Sequence, residues 1–134
     1  MELDRDLASI QEVRNLTATA RKAQVELAQL DQRAIDEIVL RMTQAAEKNA
    51  EALARMAVED TGFGVLKDKI VKNLFASRTV YESIRDVRSI GIIGENKEKK
   101  IVEAAVPVGV VAGLVPSTNP TSTTIFKSLI SVKA

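Results

Sequence analysis

The most constraining feature of this sequence is the apolar segment from Val108 to Val115, which ends at Pro116. Apolar and polar residues do not alternate in this segment, a pattern typical of a parallel strand covered on both faces. A parallel strand needs parallel neighbours, and each neighbour requires a crossover connection. The 134 residues contain no further segment of this kind. We therefore expect the chain to be the opening part of a larger α/β protein.

The residues before this segment predict a layer of helices, because apolar side chains recur every three or four positions. We expect a first helix capped by Asp4 or Asp6, a second capped by Asp31, and a third that starts at Asn49 and stops at Thr61-Gly62. A fourth helix is expected from about Val65 to Arg85, with Asp68 and Lys72 as a surface ion pair. The packing faces expected for the second, third and fourth helices are formed by Ile35, Ile38, Met42, Ala45, Ala46, Leu53, Met56, Ala57, Leu66, Ile70, Leu74, Tyr81 and Ile84.

A β-hairpin is predicted between the helices and the apolar segment. Its expected strands are Ser89–Ile93 and Lys99–Val106, joined by a polar turn over Gly94–Glu98, and Pro107 ends it. A last helix, capped by Thr121 or Ser122, is expected to carry Ile125, Phe126, Leu129 and Ile130.

Composition excludes several classes of function. The chain has no Cys and no His, and its net charge is +1 with acids and bases interspersed. We therefore expect no disulfide, no thiol catalysis, no metal site and no nucleic-acid partner. The charged stretch Met1–Asp6 lacks a secretory signal, and the longest apolar run, Ala104–Val115, is too short and too interrupted to cross a membrane.

Asn119 is the strongest candidate for a functional residue. It follows the apolar segment, and ligands of open α/β sheets bind at the carboxyl ends of strands. A carboxamide N–H is a good neutral donor for an oxygen that becomes negative in a transition state. Pro116 and Pro120 restrict the loop on both sides. The alternative is that Asn119 is a turn former that hydrogen-bonds its own backbone.

Two further groups are weaker candidates. The hydroxyl residues Ser117, Thr118 and Thr121–Thr124 can receive phosphate oxygens at a helix start, or they can simply cap the helix. The paired carboxylates Glu59 and Asp60 can do acid–base work, but at a helix end before a glycine turn they are better explained as solvated surface charge.

Two stretches of the sequence resemble the aldehyde dehydrogenase superfamily, specifically its CoA-acylating branch. They are Pro107–Thr123, and Glu59–Gly64 followed by Asp68–Asn73; the resemblance extends over nearly the whole chain from Ile10 onward. It implies an α/β fold with an N-terminal helical layer, a hairpin arm, and the first strand–loop–helix of a Rossmann-like cofactor domain. Residues 1–134 would then be the N-terminal part of an NAD-binding domain, incomplete here, with residues 89–107 as the oligomerisation hairpin.

The resemblance also implies a chemistry. Asn119 would donate its side-chain N–H to the oxyanion formed when a catalytic cysteine attacks an aldehyde. Hydride would pass to NAD, near Val115, Pro116, Ser117 and Thr118, and coenzyme A, the co-substrate, would release acyl-CoA from the cysteine thioester. The aldehyde is expected to be short, with acetaldehyde as the first candidate. The cysteine, the general base and the residues that hold the adenosine ribose lie downstream in the family, so we expect this chain alone to be inactive.

Alternatives of other kinds stay open at this point. The chain can be the same segment of a bifunctional aldehyde–alcohol dehydrogenase, or a helical assembly module without enzymatic activity. As part of a dehydrogenase it is expected to form a homo-oligomer through the hairpin. The expected location is the cytoplasm, either free or within a bacterial microcompartment.

Overall fold

A computed structural model describes residues 4–134, so the first three residues of the charged stretch Met1–Asp6 lie outside the described part. These residues divide into two units. The first consists of residues 4–30 and 107–112, and the second of residues 31–106 and 113–134. Within residues 4–134, no helix is long and apolar enough to span a membrane.

The first unit contains helix α1, Arg5–Leu27, and none of its residues is buried. This helix was predicted, and so was its boundary before Asp31. Asp4 occupies the N-cap position, but its side chain makes no capping hydrogen bond. The Asp6 carboxylate instead accepts a hydrogen bond from the N–H of Leu7 at 2.9 Å. The apolar side chains that recur along α1 are therefore not buried in this structure.

The predicted strand over Val108–Val115 is wrong for this chain. Residues 106–116 form neither strand nor helix. Val108 is 90% exposed and Leu114 is 89% exposed. A strand needs a neighbour to satisfy its backbone N–H and C=O groups. The described residues pair only β1 with β2, in a two-stranded sheet, so the segment has no ladder to join.

The second unit is built from helices that were mostly predicted. Asp31 caps α2, because its Oδ1 accepts a hydrogen bond from the N–H of Ala34 at 2.8 Å. Gly62 ends α3 with φ +67°, a left-handed conformation that glycine adopts without a steric penalty. Asn49 separates α2 from α3, but its side chain donates to the carbonyl of Ala45 instead of capping α3. The helices of this unit are α2 (Gln32–Lys48), α3 (Ala50–Thr61), α4 (Leu66–Leu74), α5 (Val80–Ile84) and α6 (Pro120–Lys133), with a π-helical turn over Phe75–Thr79 between α4 and α5.

The packing faces of these helices agree in part with the apolar pattern: Ile35 and Ala57 are buried as expected, whereas several other buried positions lie one residue from the expected ones. The buried apolar residues are Ile35, Val39, Ala50, Ala54, Ala57, Ala76, Val80 and Leu129. Several of them are alanines, which let α3 pack closely on α4 and let α6 pack against α2 and the π-helical turn. Ile38 and Met42 lie at the rim of the face, and Met56 is exposed. Small residues occupy the centre because the helices approach one another there.

The hairpin was predicted, although its bounds differ. Strand β1 (Gly91–Asn96) pairs antiparallel with β2 (Ile101–Ala105), and a bulge interrupts the register between Ile92 and Gly94. The turn covers residues 97–100, so Gly94 belongs to a strand and not to the turn. The turn was predicted from the polarity of its residues alone, and that criterion placed its start too early in the sequence.

A buried lysine ties the end of α6 to α2. Lys133 is buried, and its Nζ donates to the carboxylate of Asp36 and to the carbonyl of Arg85. Partial burial opposes ionisation of Asp36, but the hydrogen bonds from Lys133 and Gln32, together with the lysine charge, outweigh it. The pKa of Asp36 is therefore lowered from its ordinary value of 3.8.

We expect Lys133→Met to lower the free energy of unfolding at pH 7 by about 1 kcal/mol, a modest value because Asp36 is partly exposed. Because the folded pKa of Asp36 is lowered, its contribution is complete above pH 3.8 and is lost as the pH falls through the folded pKa. The difference between wild type and variant should therefore shrink in acid. Urea unfolding at several pH values between 7 and acid measures this difference in unfolding free energy. Lys67→Met, which changes an exposed lysine on α4, is the control. A difference that stays constant with pH would refute the assignment.

Candidate functional site

The loop before α6 is closed by a backbone turn. The N–H of Asn119 donates to the carbonyl of Pro116 at 3.2 Å. Asn119 then occupies the N-cap position of α6, and Pro120, which has no N–H to leave unpaired, is the first helical residue. The prediction that Thr121 or Ser122 caps this helix is wrong. The proline fixes the helix start two residues before the start that a Thr121 cap would give.

The side chain of Asn119 is held by another element. Its Oδ1 accepts a hydrogen bond from Nζ of Lys72 at 3.1 Å. Its Nδ2 donates to Oγ1 of Thr118 at 3.4 Å, a long and weak contact. The side chain makes no capping hydrogen bond to its own helix. The alternative expected this side chain to hydrogen-bond to the backbone of its own turn, and the side chain contacts Lys72 and Thr118 instead.

Helix α4 holds the loop at two further points. Lys69 is only 5% exposed, and its Nζ donates to the carbonyl of Thr118 at 2.8 Å. Asn73 is 1% exposed; its Nδ2 donates to the carbonyl of Ala50 and its Oδ1 accepts from the hydroxyl of Thr121, both at 2.9 Å. The chain is thus held one residue before Asn119, at Thr118, and two residues after it, at Thr121 in α6.

The sequence pattern did not reveal these contacts. Lys69, Lys72 and Asn73 have the spacing that places side chains on one helical face, and this spacing was the available signal. We predicted an ion pair between Asp68 and Lys72, but that pair is not among the ion pairs of residues 4–134. The amine of Lys72 reaches Asn119 instead.

The residues predicted to lie near a cofactor are accessible. Val115 is 47% exposed, and Pro116, Ser117 and Thr118 are also exposed. Val115 and Pro116 offer an apolar surface against which a planar ring can lie, and the two hydroxyls can hydrogen-bond to a polar group. Their chemistry therefore fits a nicotinamide. Across residues 4–134, no cluster of three or more acidic side chains is arranged to hold a metal ion.

Two hydroxyls among the weaker candidates make contacts within the protein. The hydroxyl of Thr121 donates to Asn73, and that of Thr124 donates to the carbonyl of Pro120. These two groups serve the protein's own structure and are not directed at a phosphate. Glu59 and Asp60 are exposed at the end of α3, which matches their interpretation as surface charge.

Comparison with known proteins identifies the family. The model of the aldehyde dehydrogenase family matches residues 5–133. The chain belongs to the aldehyde dehydrogenase family. It is 39% identical over 127 residues to the bifunctional aldehyde-alcohol dehydrogenase of Escherichia coli (strain K12), covering 95% of this chain and 14% of that protein. It is 35% identical over 121 residues to the succinate-semialdehyde dehydrogenase (acetylating) of Clostridium kluyveri, covering 90% of this chain and 27% of that protein.

Solved structures of aldehyde dehydrogenases have the same fold over this length. A probable aldehyde dehydrogenase from Listeria monocytogenes EGD-e matches with a TM-score of 0.95 and 57% identity, over 98% of this chain and 29% of that one. An acetylating aldehyde dehydrogenase from Geobacillus thermoglucosidasius matches with a TM-score of 0.96 and 56% identity, over 99% and 29%. The chain thus spans less than a third of these relatives, and its resemblance to the acylating branch is confirmed.

Proposed function

We propose that this chain supplies the oxyanion-stabilising segment of an NAD-dependent acylating aldehyde dehydrogenase, which interconverts a short aldehyde plus coenzyme A with acyl-CoA. The observation that carries the proposal is the side chain of Asn119, with Oδ1 bound to Lys72 and Nδ2 in only one weak contact. Relatives named as acetylating or as aldehyde-alcohol dehydrogenases support it. Acetaldehyde is the proposed substrate.

In this proposal, Asn119 acts when charge develops on the substrate oxygen. A cysteine thiolate, which is not among these 134 residues, attacks the aldehyde carbon, and the carbonyl electron pair moves to oxygen. The Nδ2–H of Asn119 donates to that oxyanion. NAD, when bound, would supply the hydride acceptor, and loss of hydride from this adduct would leave a thioester on the cysteine. The thiolate of coenzyme A then displaces the cysteine and carries away the acyl group.

The residues before Asn119 are proposed to contact the nicotinamide. Val115 and Pro116 would lie against the ring, and the hydroxyls of Ser117 and Thr118 would orient its polar substituent. In a complete Rossmann-like domain, the apolar segment Val108–Val115 would gain the parallel neighbours that its pattern requires. Its exposure in this chain supports that proposal, because an apolar segment of this kind needs a cover.

The hairpin is proposed to pair with another subunit. Ile92 in β1, together with Ile101 and Val102 in β2, is exposed and apolar, and an isolated two-stranded hairpin is marginal in water. We propose a homo-oligomer located in the cytoplasm, either free or within a bacterial microcompartment. A bifunctional aldehyde–alcohol dehydrogenase is the second candidate for the whole protein, and the identity to the Escherichia coli enzyme favours it.

A hybrid enzyme tests the proposed function. This chain replaces the matching segment of the Geobacillus thermoglucosidasius enzyme, to which it is 56% identical. We expect NADH formation, followed by absorbance, that requires both acetaldehyde and coenzyme A and that stays within about tenfold of the parent rate, a difference of about 1.4 kcal/mol in the barrier. Native mass and thermal unfolding report whether the hybrid is folded. A folded hybrid that produces no NADH would contradict the proposal.

A further inference from the structure

We propose that Lys72 is a positioning residue for the reaction, and that it sets the orientation and the donor strength of the Asn119 carboxamide. The inference rests on the proposed function of Asn119. Lys72 touches neither substrate nor cofactor in this proposal, and it acts through a single contact, from its Nζ to Oδ1 of Asn119 at 3.1 Å.

The first step concerns orientation. The oxygen and nitrogen ends of a carboxamide have nearly the same shape, so packing alone does not choose between the two orientations. An ammonium group has donors and no acceptor. Lys72 therefore accepts only the orientation that turns Oδ1 of Asn119 toward α4 and leaves Nδ2 on the other side. The opposite orientation would present an oxygen to the developing oxyanion and repel it.

The second step concerns donor strength. A cation at the carbonyl oxygen of an amide draws electron density toward that oxygen and makes the N–H groups more positive. Hydrogen bonds that share a group strengthen one another in this way. Nδ2 of Asn119 has two N–H groups, and the described residues offer it one partner, Oγ1 of Thr118 at 3.4 Å. At least one polarised N–H is therefore available to a substrate oxygen.

The third step concerns rigidity. Lys69 and Asn73 come from the same helix as Lys72, and they fix Thr118 and Thr121 on either side of Asn119. The distance between α4 and the Asn119 backbone is thereby set by contacts from two buried side chains. Lys72 itself is exposed, so water weakens its effect. We expect its contribution to be smaller than that of Asn119.

The test uses the hybrid enzyme and five variants, one of which is Asn119→Ala. Lys72→Met keeps most of the length of the side chain and removes the charge, and Lys72→Arg restores a cationic donor. Lys67→Met removes a charge from the same helix at an exposed position and serves as the matched control. The double variant Lys72→Met/Asn119→Ala asks whether Lys72 acts through Asn119. kcat and KM are measured for acetaldehyde, NAD and coenzyme A.

We expect Lys72→Met to lower kcat about fivefold to tenfold with KM values nearly unchanged, and Lys72→Arg to recover most of the loss. Lys67→Met should leave kcat unchanged. In the Asn119→Ala background, Lys72→Met should have no further effect. An unchanged kcat for Lys72→Met, or a loss of the same size with and without Asn119, would overturn the inference. Either result leaves the proposed function intact if Asn119→Ala alone still lowers kcat. If Asn119→Ala alone left kcat unchanged, the proposed function itself would be refuted.

Discussion

Asn119→Ala should lower the kcat of the hybrid enzyme by about 10²–10³, the usual loss when one oxyanion donor is removed. The side chain is held at its oxygen by Lys72, and its nitrogen makes only a weak contact with Thr118. Its removal therefore costs little in the ground state and more when charge appears on the substrate. We expect kcat and kcat/KM to fall together, which is the signature of an interaction made in the transition state.

The NADH-absorbance assay with acetaldehyde and coenzyme A measures this loss. Thr124→Val is a suitable control, because Thr124 is an exposed residue of the same helix whose hydroxyl donates to the carbonyl of Pro120. That control should retain turnover within about twofold, since surface substitutions are nearly neutral. Unchanged turnover of Asn119→Ala would refute the oxyanion role. A rise in KM for NAD at constant kcat would assign Asn119 to cofactor binding instead.

The sequence predicted the local elements well because their signals are local. Asp31 and Gly62 act through their own side chain and their own backbone angle, so they mark helix ends wherever the rest of the chain lies. Asn119 was singled out from its place after the apolar segment and from the two prolines around it, and only the prolines are a local signal. The apolar pattern of Val108–Val115 is different. It reports the surroundings that a strand requires, and those surroundings are not present among the described residues.

The centre of the helical core was harder to predict for a physical reason. Hydrophobicity correctly selected Ile35 and Ala57. It also selected Ile38, Met42 and Met56, which are not buried, and it missed Ala54, which close approach of the helices buries completely. A pattern of large apolar residues therefore indicates the correct side of a helix, but some of the buried positions lie one residue away from it. A polar residue beside such a stripe can then be the one that joins the helices.

Asn73 is that kind of residue. A polar side chain next to the predicted apolar stripe of α4 looked unremarkable, yet it is 1% exposed and joins α4, α3 and α6. Buried polar groups of this kind are stable only when they are paired. Its two hydrogen bonds could not be predicted from the sequence, because Ala50 and Thr121 are 23 and 48 positions away.

Asn73→Ala should therefore lower the free energy of unfolding of the 134-residue chain by about 2–3 kcal/mol, through two lost hydrogen bonds and a small cavity. Asn73→Leu fills the cavity but leaves the Thr121 hydroxyl without its acceptor, so it should recover only part of the loss. Thr121→Val, which removes the donor of one bond and leaves the bond to Ala50, should cost about 1 kcal/mol. Urea unfolding of the four proteins gives the ranking. If Asn73→Ala were no less stable than Thr121→Val, the bond to Ala50 would contribute nothing, and Asn73 would not be the residue that ties α4 to α3.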